Sequence, residues 1–223
     1  MRPLVPILHL AAGHHGGQVA VLKQAENGHA RADLSKVPAD RLLSVMTRCV
    51  FNAGFNWKVI DAKWDGFEAA FEGFDPAKLA FFGEEMMDDL VSDTRIVRNG
   101  QKIRATLDNA RMVAEIEQSE GGFGRFLATW PADDQVGLMH TLNTRGSRLG
   151  GATGQYFLRF CGWDAWITSR DVCAALVREG VLDKPVATSK RDLGKVQAAI
   201  NHWHSGSGLP RAAISRILAL SVG

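Results

Sequence analysis

Residues 101–118, QKIRATLDNARMVAEIEQ, decide the fold class. Ile103, Leu107, Ala110, Val113 and Ala114 recur at intervals of three and four, which gathers them on one face of a helix and leaves the charged positions to the other faces. Gly121-Gly122 breaks the pattern. Working outward from this helix, the same spacing returns along the chain, and the period-two alternation of strands hardly appears. Upstream, Pro38 opens a helix in which Leu42, Leu43, Met46 and Val50 are in register, with Gly54 as its stop. Asp75-Pro76 reads as an N-cap and first-turn proline, opening a short helix through Leu79 to Phe82 that Gly83 ends. Downstream, Pro131 and two aspartates begin another helix with acidic residues where its dipole favours them. Further helices are expected at 151–160, 169–179, 189–204 and 210–221. The fold expectation is therefore an all-α helical array. Without repeats or long linkers, residues 31–223 are expected to form a single helical domain of two sub-lobes sharing one cleft. Residues 1–30, where His14-His15-Gly16-Gly17 and Asn27-Gly28 read as loops, are expected to be irregular.

Composition narrows the function classes. The 223 residues are 46% hydrophobic and 22% charged, ordinary globular usage that argues against disorder. A formal net charge of +2 excludes a globally basic protein, so any contact with nucleic acid must come from a local patch. Cys49, Cys161 and Cys173 are odd in number, widely spaced and form no CxxC pair, which argues against a disulfide framework or a cysteine-rich zinc site and fits a reducing cytoplasm. The opening MRPLVPILHL is interrupted by Pro3 and Pro6 and has no basic region before it, so it is not read as a secretory signal. No stretch approaches the roughly 20 apolar residues that span a bilayer. The expectation is a soluble, cytoplasmic monomer that uses no cofactor and no membrane.

Two stretches carry candidate chemistry. The first is RLGGATGQYFLRFCGWDAW, residues 148–166. A glycine-rich turn at Gly150-Gly151 feeding a helix leaves backbone N–H groups directed at an anion, and the helix dipole favours negative charge there. Such a hairpin grips a DNA phosphate without reading sequence. Gly150, Gly151, Thr153, Gly154 and Gln155, with Arg148 beside them, are the candidate phosphate contacts; a plain helix cap and turn is the alternative. The second stretch is CVFNAGFNW at 49–57, followed by FDPAKLA at 74–80 and DTRIVRNGQKI at 93–103 with Asn109-Ala110. An extruded base needs an aromatic face to stack on and polar groups to read its edge. Trp57 is the candidate wall and Asn52 the candidate reader, with Cys49 and Phe51 in the same pocket; core packing of the aromatics is the alternative. Arg98 and Lys102, in the positive turn before the long helix, are candidate DNA-backbone contacts, against a solvated helix start.

These motifs resemble those of the 3-methyladenine DNA glycosylase I family. That family carries an AGLSW-like turn, seen here as Ala53-Gly54-Phe55-Asn56-Trp57, then the FDP of residues 74–76 and the run from Asp93 to Ile103. The resemblance covers roughly residues 38–115 well and the hairpin more loosely. It implies a helix-hairpin-helix glycosylase fold and a monofunctional enzyme that hydrolyses the N-glycosidic bond of an alkylated purine, such as 3-methyladenine, in double-stranded DNA. The chain departs from the family at three places. Cys49 stands where the family has a glutamate, a counter-charge suited to a cationic base. Ser169 stands where the wider superfamily has an aspartate, in the stretch from Asp164 to Val172, and reads more simply as a helix N-cap. His14, His15, His202 and His204 have no cysteine near them in sequence, so no metal site is expected. The rival readings are a catalytically silent relative that binds DNA or damaged DNA, and a helical scaffold with no DNA role.

Overall fold

A computed structural model describes residues 2–26 and 33–223. Among the described residues there are fourteen α-helices and no strand. In chain order they are α1 (Val5–His14), α2 (Gln18–Glu26), α3 (Ala39–Asn52), α4 (Trp57–Ala62), α5 (Trp64–Ala70), α6 (Pro76–Leu79) and α7 (Glu84–Ser92), then α8 (Gly100–Glu120), α9 (Phe123–Thr129), α10 (Gln135–Arg145), α11 (Gly151–Cys161), α12 (Arg170–Arg178), α13 (Lys190–Ser207) and α14 (Arg211–Leu220). None of these helices is long and apolar enough to cross a membrane.

The chain divides into two units. One comprises Ala32–Trp130 and His140–Phe157 and is organised on α8, which packs against α3, α6, α7 and α9. The stripe read from the sequence is its core face: Ile103, Leu107, Ala110 and Val113 are all buried. Asn99 caps the helix by accepting the Lys102 amide proton at 3.1 Å, and Gly121 ends it in the left-handed conformation. Asp75 accepts from Ala77 and Lys78 at the start of α6, as its Asp-Pro signature predicts. A column of stacked rings, Trp64, Phe67, Phe71 and Phe74, fills the space beside α3.

The other unit comprises Met1–Arg31, Pro131–Met139 and Leu158–Gly223. Here the expectation of an irregular N-terminal segment is corrected. Residues 5–26 are mostly helical, and Leu4, Ile7, Ala11, Val21 and Ala25 are buried in one core with Trp166, Trp203, Ile214 and Leu218. Pro3, Pro6 and the glycines after His15 hide the helical signal. Helices this short owe their stability to tertiary packing, here against α14, rather than to propensity. Asn27-Gly28 lies outside the described residues. Rather than standing apart from residues 31–223, α1 and α2 belong to the same unit as α12, α13 and α14. Ser169 caps α12, accepting from Val172 N at 3.3 Å, and Asp164 accepts from the amides of Arg211 and Ala212 at the start of α14.

In the α8 unit, Glu68 ties α5 to α3. Its carboxylate accepts two bonds from Arg41 at 3.0 Å, one from Ser44 at 2.9 Å and one from the Trp64 indole at 3.1 Å. Burial alone would raise the Glu68 pKa, but the bonds from Arg41, Ser44 and Trp64 outweigh it and hold the carboxyl below its ordinary value. A depressed folded-state pKa means that this stabilisation is present above the unfolded-state value and is lost as pH falls through the folded-state value. Glu68→Gln should lower stability near neutral pH by about 1–3 kcal/mol in denaturant titrations. The difference from the unaltered protein should shrink on acidification below the ordinary carboxylate range.

Candidate functional site

Helix α3 ends at Asn52, and the chain turns through Gly54, whose φ of +69° is a backbone conformation suited to glycine, before Asn56 caps α4. Asn56 accepts the Lys58 amide proton at 3.0 Å, which sets Trp57 as the first residue of α4. The turn and the start of α11 enclose a cavity of ≈ 350 Å³ lined by Cys49, Asn52, Ala53, Gly54 and Trp57 on one side and Ala152, Thr153 and Tyr156 on the other. That volume suits a small aromatic molecule. Trp57 is 41% exposed and meets the Tyr156 ring edge-on, with centroids 5.5 Å apart. Asn52 is only 4% exposed, and its side-chain carbonyl oxygen has no hydrogen-bond partner among the described residues. Buried polar atoms are almost always paired, which makes this one unusual. Among the described residues the cavity lining contains no carboxylate.

The residues singled out by sequence divide. Trp57, Asn52, Cys49 and Thr153 line one cavity. Phe51 does not: it is fully buried and packs edge-on against Phe67 at 4.7 Å, because it falls on the core face of α3. Gly150 and Gly151 are exposed at the start of α11, and Arg148 and Arg98 are exposed. Arg148 adopts φ +58° and donates to Gln101 Oε1. Gly154 and Gln155, expected to face phosphate, are buried. A Cβ on Gly154 would collide with the carbonyl of Leu149, so this glycine permits close approach of helix and hairpin. Lys102, expected to contact the DNA backbone, is also buried, at 6% exposure, with its ammonium turned inward to carbonyls at the end of α3.

Sequence reasoning missed Tyr156. It is the single tyrosine of the chain, one turn beyond the hairpin glycines, and its helical register with Ala152 and Thr153 was the available signal. The role of Asn109 was missed too. Its side chain donates to Ser147 O at 3.1 Å and accepts from Ser147 N at 2.7 Å, pinning the hairpin loop to α8. His204 lies 2.9 Å from the Leu209 carbonyl, and among the described residues no group of three or more histidine, cysteine or acidic side chains could hold a metal ion.

Solved structures whose fold is similar over part of this chain include helical DNA glycosylases. A crystal structure of a 3-methyladenine DNA glycosylase I superposes with a TM-score of 0.51 and 25% identity, covering 61% of this chain and 82% of that one. A 3-methyladenine DNA glycosylase I from Staphylococcus aureus, solved to explain its recognition of 3-methyladenine, gives a TM-score of 0.52 at 24% identity, covering 69% of this chain and 92% of that one. The family described as methyladenine glycosylase matches residues 36–146. The chain belongs to that family. DNA-3-methyladenine glycosylase 1 of Escherichia coli (strain K12) is 37% identical over 75 residues, which is 34% of this chain and 40% of that relative, so the match spans less than half of the relative's length.

The unpaired carbonyl at Asn52 gives the site a physical signature. Asn52→Leu removes a buried acceptor without emptying its volume, so the variant should be no less stable than the unaltered protein and up to about 2 kcal/mol more stable. Chemical denaturation reads this directly, and a loss of 2 kcal/mol or more, about the cost of an ordinary buried hydrogen-bonding residue, would remove the signature.

Proposed function

We propose that this chain is a monofunctional DNA glycosylase that draws an alkylated purine out of double-stranded DNA and hydrolyses its N-glycosidic bond. The observation that carries the reading is a half-exposed Trp57 beside a cavity that the Asn52 side chain also lines. Trp57 supplies the stacking surface that offsets the unstacking of a base, a few kcal/mol. The Asn52 amide reads the base edge, and Tyr156 braces the wall. A purine alkylated on a ring nitrogen is cationic in DNA and leaves as a neutral base. The work of the protein is then extraction, orientation and exclusion of bulk water. The exposed glycines at 150 and 151, the start of α11, and the exposed Arg148 and Arg98 supply phosphate contacts that position the duplex without reading its sequence.

A second reading, a catalytically silent relative that holds damaged DNA without excision, is favoured by the cavity's lack of a carboxylate and by Cys49 in particular. A cation moved from water into this site has no counter-charge to offset its desolvation.

One assay separates the two. Purified protein is incubated with methylated duplex DNA and released bases are quantified. Release above the spontaneous rate, reduced at least about tenfold in Trp57→Ala, is expected of the enzyme. Salt-sensitive binding without release would leave the silent reading standing, and absent or salt-independent binding would end both, because phosphate contacts weaken as salt rises. Cys49→Glu, which places a counter-charge in the cavity, should raise release of cationic alkylated bases.

A further inference from the structure

From the geometry of the α3–α4 turn we infer that Lys102 is the positioning residue of the base cavity, a buried clamp that holds the Asn52 backbone, and through it the Asn52 amide and Trp57, in the shape a base requires. The inference rests on the base-cavity reading above and assigns a residue to it that neither the sequence pattern nor that reading supplies.

The Lys102 ammonium donates to Phe51 O at 2.9 Å and to Ala53 O at 2.7 Å. These two carbonyls flank Asn52, so the clamp grips the chain immediately before and after the residue with the unpaired side chain. Both belong to the last turn of α3 or the residue beyond it, where helical carbonyls lack amide partners of their own and the negative end of the helix dipole lies. The same ammonium sits 5.1 Å from the Phe55 ring centroid and 5.9 Å from that of Phe51, which extends its hold to the far side of the Gly54 turn.

No carboxylate lies within ion-pairing distance of this ammonium among the described residues. The charged neighbour that acts on it is Arg148, and burial together with that like charge pushes its pKa below the ordinary lysine value. A buried ammonium without a counter-ion is costly to keep, and a surface lysine at this position would satisfy α8 equally well. What the buried one supplies is a fixed path for residues 51–55. Ala53 and Gly54 line the cavity beside Asn52, so displacement of this segment alters the floor of the site directly.

The test uses the full chain and free 3-methyladenine as probe. Lys102→Met retains the length and apolar stem of the side chain while removing the clamp; Lys102→Arg, which keeps the charge but not the geometry, serves as a second variant if the first does not fold. Melting temperature and probe affinity are measured for each, alongside Trp57→Ala, the double variant Trp57→Ala/Lys102→Met, and Leu107→Ala as a control that weakens the same helix at a core position away from the cavity. The expected result is a folded Lys102 variant with affinity reduced about tenfold or more. The double variant should bind no more weakly than Trp57→Ala alone, the non-additivity of residues acting through one site. Leu107→Ala should lose stability and keep its affinity. A folded Lys102 variant that binds within twofold of the unaltered protein would overturn the inference, and so would additive losses in the double variant. If Trp57→Ala itself binds like the unaltered protein, the base-cavity reading has failed instead.

Discussion

A helix exposes a different face every three or four residues, and α8 depends on that property more than any other element. Ile103, Leu107, Ala110 and Val113 hold the core of its unit together, while Lys102 and Asn109, on neighbouring faces, reach the polar backbone of loops that no core residue could fix, and Gln101 accepts from the Arg148 side chain. One rigid rod therefore sets the positions of two loops, the turn after α3 and the hairpin before α11. The cavity is what lies between them. Its shape is inherited from a helix none of whose residues lines it.

The division between what was legible in the sequence and what was not follows the same lines. The α8 stripe, the Asp75-Pro76 start and the Asn52–Trp57 turn were readable because local periodicity and capping chemistry specify them without help from distant residues. Helices α1 and α2 were not, since their order comes from burial against α14 at the other end of the chain. Lys102 was misread for a related reason. A lysine between an arginine and other polar residues normally solvates its ammonium, and only the unpaired carbonyls of α3, 49 and 51 positions away, draw it inward. Gln155 and Gly154 were assigned to a surface because a glycine-rich pattern identifies a turn without saying which side of it is packed. Trp57 and Asn52 line the cavity, whereas Phe51, immediately before Asn52 in the motif, points to the core as the register of α3 requires.

Family membership and the composition of the cavity bear on different questions. The match over residues 36–146 fixes descent and fold. The chemistry of the cavity is set by a few side chains, Cys49 among them. A thiol is small, polarisable and tolerant of neutral aromatic neighbours, and it changes the electrostatics of the cavity without changing its walls.

The pairing of α1 and α2 with α14 has a consequence for how the protein is made. The α8 unit is drawn almost entirely from one continuous stretch and can condense while synthesis proceeds. The other unit cannot: Ile7, Ala11 and Val21 are synthesised long before their packing partners Ile214, Ile217 and Leu218. Until α14 is made, the apolar faces that α1 and α2 turn to it remain uncovered. A chaperone that shields short apolar segments would therefore act on α1 and α2, and loss of α14 would leave those two helices sticky rather than merely loose.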